Sequence, residues 1–312
     1  MMLKSFNLKN GRLVRTSANS KTKPRWIHLD SAKASDYEKV AEFGISKSDF
    51  NLAINRKQRS RIASRGKYEL ILLNIPDINS NEILTLGIFL TGKTMITVHE
   101  KTCKVVTTIA NSSENLNSSE HAIFIQVLEE LNELFFERSK KLDEEIDAIE
   151  DLIHKNLSRD LIKDFSKTRK NLIFLNKALS ENRELISKLL HHSEKFKFTK
   201  LEKFELAELH MELEQISDTI KIYREIISNA VEVYNSRLSL QISKVVQRLT
   251  IVGSFILLPT LIASIYGMNF KIDAGPWNMP ELYWQYGYPF SIILMIVSVL
   301  VTYTYFKRKK WL

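Results

Sequence analysis

Residues 249–270 read Leu-Thr-Ile-Val-Gly-Ser-Phe-Ile-Leu-Leu-Pro-Thr-Leu-Ile-Ala-Ser-Ile-Tyr-Gly-Met-Asn-Phe, without a single charge, and residues 282–306 are uncharged as well. Each run exceeds the roughly 20 apolar residues that an α-helix needs to cross about 30 Å of hydrocarbon. The chain is therefore expected to be a two-span membrane protein. The short connection between the spans, which opens with Gly267-Met268-Asn269, is where its chemistry is expected.

Outward from the spans, charge sets the orientation. Lys307, Arg308, Lys309 and Lys310 follow the second run, and Lys244 and Arg248 precede the first, whereas the loop between holds Lys271, Asp273 and Glu281. The positive-inside rule then puts both termini in the cytoplasm of a multi-pass protein of the plasma (inner) membrane. Over all 312 residues, 45 Lys+Arg against 36 Asp+Glu leave +9. A basic chain suits nucleic acid, anionic lipid or phosphate, and here the spans favour lipid over nucleic acid. The start, Met1 to Phe6, lacks a secretory signal, as expected of a domain that stays in the cytoplasm. Cys103 is the one cysteine, so neither an intrachain disulfide nor a cysteine cluster is available, and it reads as a packing residue.

Roughly 240 residues lie outside the spans, enough for a sizeable soluble domain. The segments 26–29, 68–75, 83–90 and 95–98 are apolar and β-rich, and Thr91-Gly92-Lys93 reads as a hairpin turn between the last two. Helices are expected at 35–43 and 46–56, making residues 1–118 an α/β domain. From Gly92 to Gly253 there is no glycine and from Pro76 to Pro259 no proline, so long helices are expected.

The first of these covers about 119–155, with Ile123, Val127, Leu131, Leu134, Leu142, Ile146, Ile149 and Ile153 on one face. The second covers about 159–190, and His191 to Lys195 form a solvated turn, the two making a helical hairpin over 119–198. Thr199 and Glu202 form a capping box for the third. Its stripe of Leu206, Leu209, Leu213, Ile216, Ile220, Tyr223, Ile227, Val231, Tyr234, Leu238, Ile242, Val245 and Leu249 runs at spacings of three and four. With no breaker before the membrane, a stalk at 199–248 is expected to continue into the first span at 249–270 as one helix of about 100 Å. A loop at 271–286, the second transmembrane helix at 287–306 and a basic tail at 307–312 complete the expected α+β membrane protein. Asparagine- and serine-rich residues 111–119 read as a loop.

Two helices from one chain cannot enclose a water-filled path, so conduction requires several copies about a symmetry axis. Ser243, Val246, Leu249, Gly253, Leu257 and Thr260 recur on one face of the first span. This face reads either as a gate that closes by dewetting or as ordinary helix packing. Pro259 deprives a carbonyl one turn earlier of its donor, and Thr260 is placed to compensate.

Tyr266-Gly267-Met268-Asn269-Phe270, Met279-Pro280-Glu281-Leu282, Trp284, Gly287-Tyr288-Pro289 and the ending from Tyr305 to Leu312 resemble the CorA magnesium transporters. The resemblance is close over 249–312 and looser upstream, through Trp26-Ile27-His28-Leu29 and the helix layout. It implies a funnel-shaped homopentamer in which Asn269 side chains and Gly267 carbonyls ring the pore mouth and Met268 supports the turn. It further implies a polar ring at Thr260, a hydrophobic constriction at Leu249, and a positive ring at Lys307, Arg308, Lys309 and Lys310, for which lipid headgroup binding is the competing reading. Ser243 to Thr250 and the residues 271–278 depart from the family pattern.

The family's magnesium-dependent closure implies carboxylates between subunits, and counting back from the filter places Glu208 and Glu212 there. Magnesium is then both the transported ion and the regulatory ligand. Magnesium holds its water tightly, so a filter of neutral oxygens such as the Asn269 amide can read the hydrated ion without stripping it. Asp273 and Glu281 read as loop charge, with attraction of cations the alternative. No phosphate loop, His-x-x-x-His pair or nucleophile elbow is present, so no enzyme is expected. The expected function is passive, gated magnesium transport, extending to cobalt and nickel. A zinc transporter of the same superfamily and a non-conducting membrane-anchored scaffold are the alternatives.

Overall fold

A computed structural model describes residues 2–9, 12–16, 24–55, 58–77, 82–101, 104–111, 119–155, 160–271, 275 and 277–311. Cys103, most of the expected loop at 111–119 and Asp273 lie outside them. The chain divides into two units, Met1–Val231 and Glu232–Leu312.

The first unit is built on a seven-stranded sheet. Its elements are β1 (Met2–Lys9), β2 (Arg12–Thr16), β3 (Trp26–Asp30), α1 (Glu38–Ala41), α2 (Lys47–Ala53), β4 (Arg61–Ser64), β5 (Glu69–Pro76), β6 (Ile83–Leu90), β7 (Met95–Val98), α3 (Lys104–Asn111), α4 (Glu120–Lys155) and α5 (Asp160–His191). The strand order is β2-β1-β3-β7-β6-β5-β4, and only β3 and β7 run parallel. The four strands expected from sequence are present within a residue or two. So is the hairpin turn, where Gly92 takes φ +82° and the Thr91 amide donates to the Thr94 carbonyl.

The continuous apolar run of β5 follows from cover on both faces. Leu70 and Leu72 join Val40, Ile45, Phe50 and Ala53 in one core, while α4 packs on β5 and β7 and α5 on β4, β5 and β6. Gly87 permits the first contact, since a Cβ there would stand 2.3 Å from that of Ala53. The expected helices at 35–43 and 46–56 are shorter than predicted. A 3-10 turn at Ala34–Tyr37 leads into α1, and α2 starts at its Ser46 cap and stops at Ala53.

At the far edge β4 pairs only as far as Leu72, and the Asn182 side chain of α5 takes over beyond it. The side-chain oxygen of Asn182 accepts from the Asn74 amide at 3.0 Å, and its nitrogen donates to the Asn74 carbonyl at 2.8 Å. All eight apolar positions predicted for α4 are buried, as are Leu206, Leu209, Leu213, Ile216, Ile220, Ile227 and Tyr234 of α6 (Lys200–Tyr266). The predicted capping box starts α6: the Thr199 amide donates to Glu202 at 2.7 Å and the Glu202 amide to Thr199 Oγ1 at 3.2 Å. The turn before it starts at His192, one residue later than expected, because α5 runs through His191. His191, His192, Glu194 and Lys195 are exposed, as expected of a solvated turn, and Phe196 stacks on Phe198 just after it with ring centroids 5.7 Å apart.

α6 is unbroken for 67 residues and passes through Pro259. In the second unit it ends at Tyr266, and a 3-10 turn at Pro280–Tyr283 precedes α7 (Gly287–Arg308). The second uncharged run thus enters its helix only at Gly287, because Pro280 to Tyr283 form their own turn. A Cβ on Gly287 would fall 2.2 Å from the Glu281 carbonyl oxygen, so this contact demands glycine.

Candidate functional site

α6 and α7 are each long and apolar enough to cross a membrane. Burial along the α6 stripe stops at Tyr234; Leu249 is 71% and Leu257 67% exposed in one chain. Leaving such a side chain in water forgoes about 1.5–3 kcal/mol, so lipid or further copies of the chain must cover this unit. Ser243, Val246, Leu249, Gly253, Leu257 and Thr260 are all exposed and, at 100° per residue, lie within one sector of the helix.

The Thr260 hydroxyl donates to the Ile256 carbonyl at 2.7 Å. This corrects the expectation that it compensates Pro259. The carbonyl that proline deprives belongs to Phe255, whereas a side chain at 260 reaches back four residues to 256.

α6 closes with the Gly267 amide donating to Ala263 at 2.9 Å and the Met268 amide to Ile265 at 3.2 Å. Gly267 does not adopt a left-handed φ, and Gly267, Met268 and Asn269 are all exposed within one chain. The Asn278 side-chain amide donates to the Lys271 carbonyl at 2.9 Å, which ties the two ends of the departing segment together. Trp284 packs against Tyr286 and Phe290, the aromatic composition of a membrane–water interface.

At the other end of the spans, Lys307 and Arg308 close α7, and Lys309 and Lys310 turn the chain back. Trp311 stacks on Phe306 with centroids 5.7 Å apart, Phe306 meets Phe255 of α6, and Gln247 donates to the Trp311 carbonyl at 3.5 Å. The basic cluster is thus held beside α6 by its aromatic flank.

In the first unit Glu208 and Glu212 are exposed on α6. Glu212 accepts from the Asn132 side chain and lines a cleft of about 480 Å³ with Glu133, Asp143 and Tyr223. Burial, and then the charges of Glu202 and Glu208, push the Glu205 carboxyl up. Glu208 and Glu212 do not meet in a three-ligand cluster among the described residues of one chain.

A different cluster does form, and the sequence reading missed it: His28, Asp30 and His99, whose ligand atoms lie within 4.8 Å of one another. Because β3 and β7 pair in parallel with His28 opposite Thr97, positions 28, 30, 97 and 99 share one face. His28 Nε2 and His99 Nε2 are 3.3 Å apart. His28 Nδ1 is 3.0 Å from Thr97 Oγ1, which also accepts from Trp26 Nε1 at 3.0 Å, and His99 Nδ1 meets the Lys101 carbonyl. Burial pushes the His99 imidazole below its ordinary pKa, against the opposing pull of the Asp30 carboxylate and the Lys101 carbonyl. The alternation of Trp26, His28 and Asp30 was visible in the sequence, but its parallel pairing with the strand at 95–98 was not.

A soluble α/β domain followed by a long helix, with two apolar helices at the C-terminal end, defines a two-span membrane protein with a substantial domain outside the bilayer. The chain belongs to the CorA-like Mg2+ transporter protein family, whose model matches residues 21–308. It is 27% identical over 306 residues to the cobalt/magnesium transport protein CorA of Thermotoga maritima, covering 93% of this chain and 84% of that one. It is 23% identical over 295 residues to the protein of the same description from Methanocaldococcus jannaschii, covering 92% and 91%. The complete structure of the CorA magnesium transporter from M. jannaschii matches the fold with a TM-score of 0.85 at 20% identity, over 100% of this chain and 99% of that one.

Proposed function

We propose that this chain carries magnesium across the plasma membrane as a passive, gated channel formed by five copies, with both termini in the cytoplasm. The observation that carries the mechanism is the exposed Gly267-Met268-Asn269 turn at the end of a helix whose exposed sector also holds Thr260. The family and its magnesium- and cobalt-transporting relatives support the cargo.

In this mechanism Asn269 amide oxygens and Gly267 carbonyls accept hydrogen bonds from the water of a hydrated ion. Magnesium dehydrates reluctantly, so a filter that leaves the water in place avoids the largest barrier. The Thr260 hydroxyl already donates its hydrogen bond to the Ile256 carbonyl, which leaves its oxygen lone pairs to accept from the same water. Leu249, Leu257 and Val246 provide the apolar constriction, with Gly253 and Ser243 the small positions between and below them. A divalent ion entering across 100 mV gains about 4.6 kcal/mol, enough to run against roughly a thousandfold gradient, so the path needs a gate. Magnesium held between subunits by carboxylates, with Glu208 and Glu212 the candidates, closes it. Lys307, Arg308, Lys309 and Lys310 ring the helices at the cytoplasmic side, against the lipid headgroups.

The test is flux into vesicles holding the purified chain. Magnesium entry is expected, and Asn269→Ala should abolish selective entry. Zinc flux without magnesium flux would move the assignment to a zinc transporter, and no ion flux from either the unaltered chain or Asn269→Ala would favour a scaffold.

A further inference from the structure

We propose that His28, His99 and Asp30 form a binding site for a nitrogen-preferring divalent transition metal, typified by zinc, in the N-terminal domain and distinct from the transport path.

The hydrogen bonds around the two imidazoles carry the geometry. The Lys101 carbonyl only accepts, so His99 Nδ1 bears the proton and its Nε2 presents a lone pair. That lone pair points at His28 Nε2, 3.3 Å away. Two nitrogens each about 2.05 Å from a tetrahedral metal stand roughly 3.3 Å apart, so the separation already suits one ion held between them. Each Nδ1 is braced by an oxygen, His99 by Lys101 and His28 by Thr97, which is how metal-binding histidines are commonly oriented.

The protons balance. Without metal, His28 Nε2–H donates to His99 Nε2, and the Thr97 hydroxyl, fixed by Trp26 from behind, donates to His28 Nδ1. With metal, His28 holds its one proton on Nδ1 instead. Thr97 Oγ1 then accepts from both His28 and Trp26 through its two lone pairs, and its own hydroxyl hydrogen, which loses its acceptor at Nδ1, rotates away from the ring. No net proton leaves the pair.

Asp30, whose Oδ1 stands 3.9 Å from His99 Nδ1, supplies the anionic charge beside the pair and, by turning toward the Nε2 edge, the third ligand. The histidines are each 1% exposed, whereas the Asp30 side chain is 15% exposed. Its chain neighbours Ser31 and Ala32, with Glu100 next to His99, line an open cleft of about 630 Å³ beside the cluster. Imidazole suits zinc or nickel and disfavours magnesium, which seeks an octahedron of oxygens. The site therefore reads a different ion from the one proposed for the pore.

The experiment uses the full chain in detergent, carrying Asn269→Ala so that the proposed filter is impaired, with magnesium saturating throughout. One zinc ion per chain is expected, with Asp30→Asn weakening it roughly tenfold or more and His28→Gln or His99→Gln abolishing it. Because a buried histidine variant can lose affinity by misfolding, cobalt(II) is titrated into the unaltered histidine site as well. The intense visible absorption of four-coordinate cobalt should appear and be discharged by zinc. Absence of zinc binding under saturating magnesium, an octahedral cobalt spectrum, or zinc binding unchanged in both Asp30→Asn and His99→Gln would each overturn the site. None of these outcomes bears on magnesium flux, so the transport proposal stands or falls separately.

Discussion

The side chain of Asn182 completes the backbone of Asn74, accepting from its amide at 3.0 Å and donating to its carbonyl at 2.8 Å. It substitutes for the strand that β4 no longer provides, and the Ser60 hydroxyl adds a third bond to the same oxygen at 2.7 Å. Asn182→Ala would leave these partners buried and unpaired. A loss of about 2–3 kcal/mol is expected, read as a lower denaturation midpoint of the full chain. A change below about 0.5 kcal/mol would mean that water replaces the amide.

Asp49 makes the same domain acid-sensitive. Burial alone would raise its carboxyl, but hydrogen bonds from Arg65 at 2.9 Å twice and from Tyr68 at 2.6 Å outweigh that and hold the pKa below the usual value. In the unfolded chain the group titrates near 3.9, roughly. The unfolded state therefore binds more protons between the two values, and stability rises with pH in that window. The contribution is present above the unfolded pKa and is lost as pH falls through the lowered folded one. Asp49→Asn should be less stable near neutrality and lose less on acidification; equal acid sensitivity of the two proteins would exclude Asp49 as the cause.

Gly287 allows α7 to begin against the Glu281 carbonyl. Gly287→Ala puts a Cβ 2.2 Å from that oxygen, so the 3-10 turn must move. A cost of about 1–3 kcal/mol is expected, visible as a lower melting temperature of the detergent-solubilised chain. An unchanged melting temperature would show that the turn yields freely.

Leu249 is the apolar constriction in the proposed pore. Replacing it by serine wets the ring, so basal magnesium flux into vesicles should rise. Each lowering of the barrier by about 1.4 kcal/mol appears as a tenfold faster rate. A flux equal to that of the unaltered protein would place the gate at another ring, with Leu257 and Val246 the next candidates.

The parts legible in the sequence are those governed by near neighbours along the chain. α4, α5 and α6 follow from heptad-like spacing, from the capping pair Thr199 and Glu202, and from the absence of glycine and proline between Gly92 and Gly253. The hairpin at Gly92 followed from turn chemistry. β1, β2 and β4 were not foreseen, because Lys4, Lys9, Arg12 and Arg15 or Arg61 and Ser64 interrupt any apolar pattern, and pairing of β1 with β3, of β2 with β1 and of β4 with β5 holds them in the sheet. Ile162, Phe174 and Leu201 also show the limit of periodicity, since all three are apolar yet exposed.

By itself the sequence determined two membrane-length helices, the continuity of α6 into the first of them, and the family signature at Gly267-Met268-Asn269, because each depends on residues within a few turns of one another. Only the tertiary structure decided which residues meet across the sheet. His28 and His99 are 71 positions apart, and nothing local to either reveals the other. The parallel register of β3 on β7 sets one imidazole facing the other beside Asp30, and register is a property of two strands, set by the burial of both faces rather than by either strand alone.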